Sequence, residues 1–180
     1  MCLEKELNEK AKQYLKEGRI DESFVMEMTQ VTLGGTCEKA TTKQDKYDHI
    51  DFFWNTPKGD KIGIDVKGIK KQRQKDDKKD DSIHWVEIIG IYGYPGWIYG
   101  KSKYIAFRTF SDIVFVETEK LREFALEKIK GKDIVSQNPD ECYVPYQRYG
   151  RKDVIIKVPT DDLREIASFS IVYNLDNIDN

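Results

Sequence analysis

Between Tyr47 and Gly68 two short apolar runs flank a turn, and each run carries charged residues at alternate positions. In Lys61-Ile62-Gly63-Ile64-Asp65-Val66-Lys67-Gly68, the aliphatics Ile62, Ile64 and Val66 alternate with Gly63, Asp65 and Lys67. Side chains along a strand point to opposite faces with period two, so Asp65 and Lys67 share one face and the aliphatics the other. The preceding run, Tyr47 to Trp54, groups His49, Asp51 and Phe53 by the same rule. Asn55-Thr56-Pro57-Lys58-Gly59-Asp60 has the composition of a turn, which predicts an antiparallel hairpin that brings Asp51 opposite Asp65. An ionised side chain inside an apolar strand is costly unless something compensates it.

Two carboxylates and a lysine in such a cluster suit metal-assisted hydrolysis of a phosphodiester. Carboxylates are the hard oxygen ligands that magnesium prefers, and the ion keeps other positions for water and phosphate oxygens. Lys67 can reach the attacking water or offset charge developing on the phosphate. The competing reading is a structural ion pair of Lys67 with Asp65 or Asp51. Acid-x-Lys triplets are common in a chain with 34% charged residues, and Asp76-x-Lys78 and Asp77-x-Lys79 are two more.

Asp51 followed by Asp65-Val66-Lys67 in an Ile-Asp-Val-Lys-Gly strand resembles the core of the PD-(D/E)XK nuclease superfamily. Ile50 stands where the motif has proline, and the second acid is Asp in place of the more usual Glu. The resemblance covers the architecture of roughly the first two thirds of the chain, and its specific motif is three residues. It implies an α/β fold with a restriction-endonuclease-like core, a central mixed β-sheet flanked by helices. It also implies a magnesium-dependent deoxyribonuclease, with manganese able to substitute. Asp51 and Asp65 would bind the metal, the Val66 carbonyl would complete the ligand set, and Lys67 would orient or activate water. A further acid from the upstream helical region is implied, with Glu22 and Glu27 as candidates. Glu27 is preferred because it shares a helical face with Phe24 and Val31. DNA is the implied partner with RNA left open, a homodimer is compatible, and small stand-alone enzymes of this kind occur among phages and mobile elements. A nuclease-like fold that only binds nucleic acid or protein is the alternative.

A length of 180 residues predicts one domain, with a core over about 1–130 and a strand-helix-strand extension over about 141–174. Mean hydropathy of -0.66 and the absence of a long apolar run predict no membrane span. Cys2, Cys37 and Cys142 are odd in number and widely spaced, which argues against a zinc site or disulfide framework and for a cytoplasmic setting. A net charge of -2 places any grip on nucleic acid in local patches. Lys70, Lys71 and Arg73 follow the candidate strand directly as phosphate contacts, and the second half of that loop reads as a solvated segment. Tyr143 to Lys152 interleaves tyrosines with Arg148, Arg151 and Lys152, suiting either phosphates and unstacked bases or a packed amphipathic hairpin. His49 could touch substrate, while a structural role is the commoner fate of both His49 and His84.

Elsewhere the pattern predicts a helix over Leu3 to Leu15 stopped by Gly18, and a second from Asp21 to Val31. A loop runs from Gly34 to Asp45. Strands follow at Ile83 to Tyr92, Tyr104 to Thr109, Asp112 to Val116, Val154 to Val158 and Ser168 to Tyr173. Glu87 reads as an edge-facing charge or an extension of the acid cluster, and the turn-rich 93–100 segment as packing on the core in preference to wedging against a base. Thr118 and Thr160 read as caps of two further helices, the first ending before Gly131.

Overall fold

The computed structural model describes the backbone of residues 2–71 and 78–173, and side chains within them from Gly18 onward. It is a mixed α/β protein. The elements are α1 (Cys2–Leu33), β1 (Thr36–Lys39), β2 (Phe52–Asn55), β3 (Lys61–Lys67), β4 (Ile83–Ile89), β5 (Tyr104–Arg108), β6 (Asp112–Glu117), α2 (Thr118–Ile129), β7 (Val154–Pro159), α3 (Thr160–Glu165) and β8 (Phe169–Val172). A six-stranded sheet has the order β1-β2-β3-β5-β6-β8, and β4 and β7 form a separate antiparallel ribbon. Only β3 and β5 run parallel; the other neighbours in the large sheet are antiparallel.

The expected hairpin forms, with Phe52 opposite Ile64 and Asn55 opposite Lys61. It occupies the second and third places of the sheet. Each sheet face carries its own apolar cluster. Phe52, Ile64, Val66, Ala106, Phe115 and Ile171 pack around Val25 of α1 on one side. Ile105, Phe107, Val114 and Val116 pack on the other against Val86, Ile98, Ile156 and the apolar faces of α2 and α3. The β3–β5 register pairs Asp65 with Ile105 and Lys67 with Phe107, so both charged residues lie on the face covered by the ribbon.

Three local expectations are corrected. Gly18 does not end the first helix, which runs unbroken to Leu33; an interior glycine costs only about 1 kcal/mol against alanine, and the flanking sequence outweighs it. The stop is Gly34, whose φ of 72° takes the left-handed conformation and whose N–H returns to the Gln30 carbonyl at 3.0 Å. Part of the expected Gly34–Asp45 loop is an edge strand, β1, paired to β2. Thr118 and Thr160 begin helices but do not cap them with their side chains. The Thr118 hydroxyl meets that of Ser102 at 3.1 Å, and Thr160 donates to the Asp81 carbonyl, tying each helix start to a neighbouring segment. The strand-helix-strand of the C-terminal part joins both sheets, β7 pairing with β4 and β8 with β6.

Candidate functional site

β3 delivers Asp65 and Lys67 together. The Lys67 ammonium donates to Asp65 Oδ1 at 2.6 Å and sits 4.6 Å from the centre of the Trp97 ring, so it is held between a carboxylate and an aromatic face. Asp65 is only 3% exposed, and among the described residues no donor reaches its buried Oδ2.

Asp51 arrives by a different route from the one its sequence predicts. The strand alternation starts only at Phe52. Residues Gln44–Asp48 form a π-helical turn that ends on His49 in left-handed backbone, with φ of 52° and ψ of 56°. His49 and Asp51 therefore do not share a strand face. Asp51 still reaches the site because it flanks β2: its N–H donates to the Ile64 carbonyl at 2.9 Å, and its Oδ2 accepts the Val66 N–H at 2.6 Å. A side-chain oxygen thus takes the place of a ladder carbonyl beside Asp65.

The electrostatics follow from this crowding. Burial, then the charge of Asp65, pushes the Asp51 carboxyl up to about 7, with Lys67 and the Val66 N–H pulling the other way. Burial also raises Asp65, and the charge and hydrogen bond of Lys67 oppose it. The charge of Asp65 thus adds to burial in disfavouring ionisation of Asp51. When both ionise, a buried pair of carboxylates faces one lysine.

Glu22, and not Glu27, is the helical acid that the structure brings toward this pair. Burial, followed by Asp51 and Asp45, raises Glu22 to about 7. Glu27 is exposed, and so is Val31 at 75%, so the face that recommended Glu27 points to solvent. The buried stripe of α1 is instead Asp21, Val25 and Thr29. Its two polar members explain why hydropathy missed it: Asp21 pairs with Arg108, and Thr29 donates to the Val25 carbonyl at 2.7 Å. A Cβ at Gly68 would lie 1.8 Å from Asp21 Oδ2, so the glycine after Lys67 is what lets α1 close onto the end of β3.

The cations divide. Lys70 is exposed and pairs through its backbone with Asp80; desolvation and then Lys67 lower its pKa. Lys71 is exposed, and Arg73 lies outside the described residues. Arg148 is not a free phosphate contact: its guanidinium donates to the fully buried Asp153, with Nε at 2.6 Å from Oδ2. Arg151 and Lys152 are exposed. His49 lies within the field of Lys67 and the acids, its pKa lowered by burial and then Lys67, whereas His84 is buried against Phe107 in the core.

Two further residues act on Lys67; the sequence does not single out Trp97, whereas Glu87 reads there as an edge-facing charge or an extension of the acid cluster. Trp97 belongs to a 3-10 turn, Trp97–Tyr99, bracketed by Gly96 and Gly100. A Cβ at Gly100 would stand 2.7 Å from that of His49, and one at Gly96 would stand 2.3 Å from the Glu87 carbonyl oxygen. Those two glycines in an aromatic segment were the available signal. The segment packs through Trp97 and Ile98 but leaves Tyr94 exposed. Glu87 is the other neighbour: burial raises its pKa, while Lys67 and then Arg148 lower it.

Among the described residues no three of His, Cys, Asp and Glu are grouped closely enough to hold a metal ion by themselves. The donors at hand fit magnesium in another way, since that ion is commonly held by one or two carboxylates and retains several waters. The unmet Asp65 Oδ2 beside Asp51 is the observation that favours a cation, because a cation both satisfies the oxygen and cancels the excess charge. Comparison with protein-family models, with curated proteins and with solved structures finds no match for this chain. No described helix is long and apolar enough to cross a membrane.

Proposed function

We propose that the protein is a magnesium-dependent nuclease of the PD-(D/E)XK type that hydrolyses DNA phosphodiesters in the cytoplasm. The observation that carries this reading is the unequal charge count of the buried cluster. Asp51 and Asp65 crowd beside one lysine, which bonds to Asp65, and among the described residues one Asp65 oxygen has no donor. A structural ion pair needs one acid for Lys67; the second acid costs free energy that a bound cation offsets.

Asp51 and Asp65 would hold the ion, which when bound polarises a phosphate oxygen and makes a water more acidic. Glu22 lies in the field of Asp51, where it can orient a water without being a direct ligand. Lys67, steadied by Trp97, points its ammonium at the same place and can donate toward the attacking water or the phosphate. In the reaction a water oxygen bonds to phosphorus and one ester oxygen leaves as an alcohol. That Asp51 and Asp65 are joined by no third ligating acid among the described residues favours a second reading, a nuclease-like module that binds without cutting.

An activity screen separates the two. Duplex, branched and single-stranded DNA, and RNA, are incubated with magnesium or manganese, with Lys67→Ala as control. Cleavage by the wild type that falls at least a hundredfold in Lys67→Ala is the expected result, on the order of one electrostatic contact to the reacting group. No cleavage of any form, or equal cleavage by a folded Lys67→Ala, contradicts the reading.

A further inference from the structure

Beyond the carboxylate cluster, one end of the β4–β7 ribbon carries aromatic rings that the core does not use. Two turns meet there, one over residues 90–95 and one over 146–152. The Lys152 N–H donates to the Ile91 carbonyl at 3.1 Å, and the Lys152 stem lies against Gly93, where a Cβ would come within 3.2 Å of its Cδ. Tyr92 is 80% exposed, Tyr94 73% and Tyr149 99%. Rings of this size usually bury much of their area, and three left in water on two turns that meet mark an interaction surface. Arg151 and Lys152 are exposed beside them. The nearby acids do not cancel these charges, because Asp153 is buried under Arg148 and Glu87 is half-buried.

The tip is joined to the candidate site by its own backbone. Trp97, which lies on the Lys67 ammonium, is three residues past Tyr94, a reach of at most about 11 Å.

We infer that this tip binds nucleic acid through unpaired bases, which stack on Tyr92, Tyr94 and Tyr149 while Arg151 and Lys152 meet the phosphates. The inference rests on the nuclease reading and narrows its substrate to a strand that is single or locally unpaired next to the scissile bond. Stacking requires an open base face, which a closed duplex offers only at its ends. Phosphate contacts alone would not distinguish the two forms.

Fluorescence anisotropy with labelled oligothymidylate and a hairpin duplex of equal length, in chelator to prevent cleavage, tests it. Wild type should bind the single strand more tightly than the duplex. Tyr92→Ala/Tyr94→Ala/Tyr149→Ala should lose at least about tenfold in single-strand affinity, while the triple Phe variant keeps it. Arg151→Gln/Lys152→Gln should weaken both forms and lower the salt slope by about 2. These side chains are exposed, so unchanged melting temperatures are expected and serve as the folding control. Single-strand affinity unchanged in the alanine triple variant, or a wild type that prefers duplex or binds neither form, overturns the inference. Loss of single-strand binding in a protein that cuts nothing would uphold the tip and sink the nuclease reading. Lys67-dependent cleavage with no effect of the tyrosines would do the reverse.

Discussion

Asp51 has a structural task beside the chemical one we propose for it, and substitutions can pull the two apart. Its Oδ2 is the acceptor for the buried Val66 N–H, so Asp51→Ala leaves that donor unmet and should cost roughly 1–3 kcal/mol in denaturant unfolding. Asp51→Asn keeps an oxygen for the N–H and removes the charge, so it should fold close to the wild type. An Asn variant destabilised as much as Ala would show that the charge, and not the acceptor, stabilises this corner. The same residue gives the protein a pH dependence. Asp51 and Glu22 are both raised to about 7 from values near 4. Between about pH 4 and 7 the folded state therefore holds protons that the unfolded chain has released, and metal-free stability should fall as pH rises through that window. On the proposed reading manganese would bind the ionised acids, so its gain in melting temperature should be larger at pH 8 than at pH 5.5. Scanning calorimetry with and without chelator checks this, with Asp51→Asn expected to flatten the slope. A metal effect equal at both pH values would contradict it.

At the scale of elements, the site depends on how α1 meets β3. Gly68 leaves space for Asp21, Asp21 holds Arg108, and Arg108 lies 4.2 Å over the Phe24 ring. The next residue along α1 is Glu22, so this anchor sets where the helical acid points. Gly68→Ala should destabilise by roughly 1–3 kcal/mol, because the added methyl must displace a carboxylate pinned by a guanidinium. In an Asp21→Ala background the same methyl finds room, so the two substitutions should be clearly non-additive in a double-mutant cycle. Additive costs would mean that Gly68 and Asp21 do not compete for this space. The hairpin itself was legible in the sequence: Ile62, Ile64 and Val66 alternate strictly, and the Pro-Gly turn is short. The helical acid was not. Its stripe is Asp21, Val25 and Thr29, two of whose members are buried only because Arg108 and a backbone carbonyl satisfy them, and no apolar periodicity records that. His49 escaped for a related reason. A π-helical turn and left-handed backbone replace the strand that alternation predicts, and Gly100, from a distant segment of the chain, packs closely there.

Across the whole molecule, the large sheet separates two apolar layers, and the charged cluster lies at the end of its parallel pair under the ribbon. The ribbon joins residues far apart in sequence, β4 with β7, so Trp97 and the tyrosine turns come to the same side as Lys67 only in the folded chain. This long-range closure is what local patterns could not convey. It also changes the meaning of Arg148, a cation in the sequence and a partner of buried Asp153 in the fold. The account turns on whether the Asp51–Asp65 pair takes up a cation. Titration calorimetry of manganese into the metal-free protein at pH 8 measures that directly, with Asp65→Asn as the paired sample and its melting temperature as the folding control. One saturable site in the wild type that is lost in a folded Asp65→Asn is the predicted result, and a wild type that binds no manganese, or an Asn variant that binds it equally, would contradict the account.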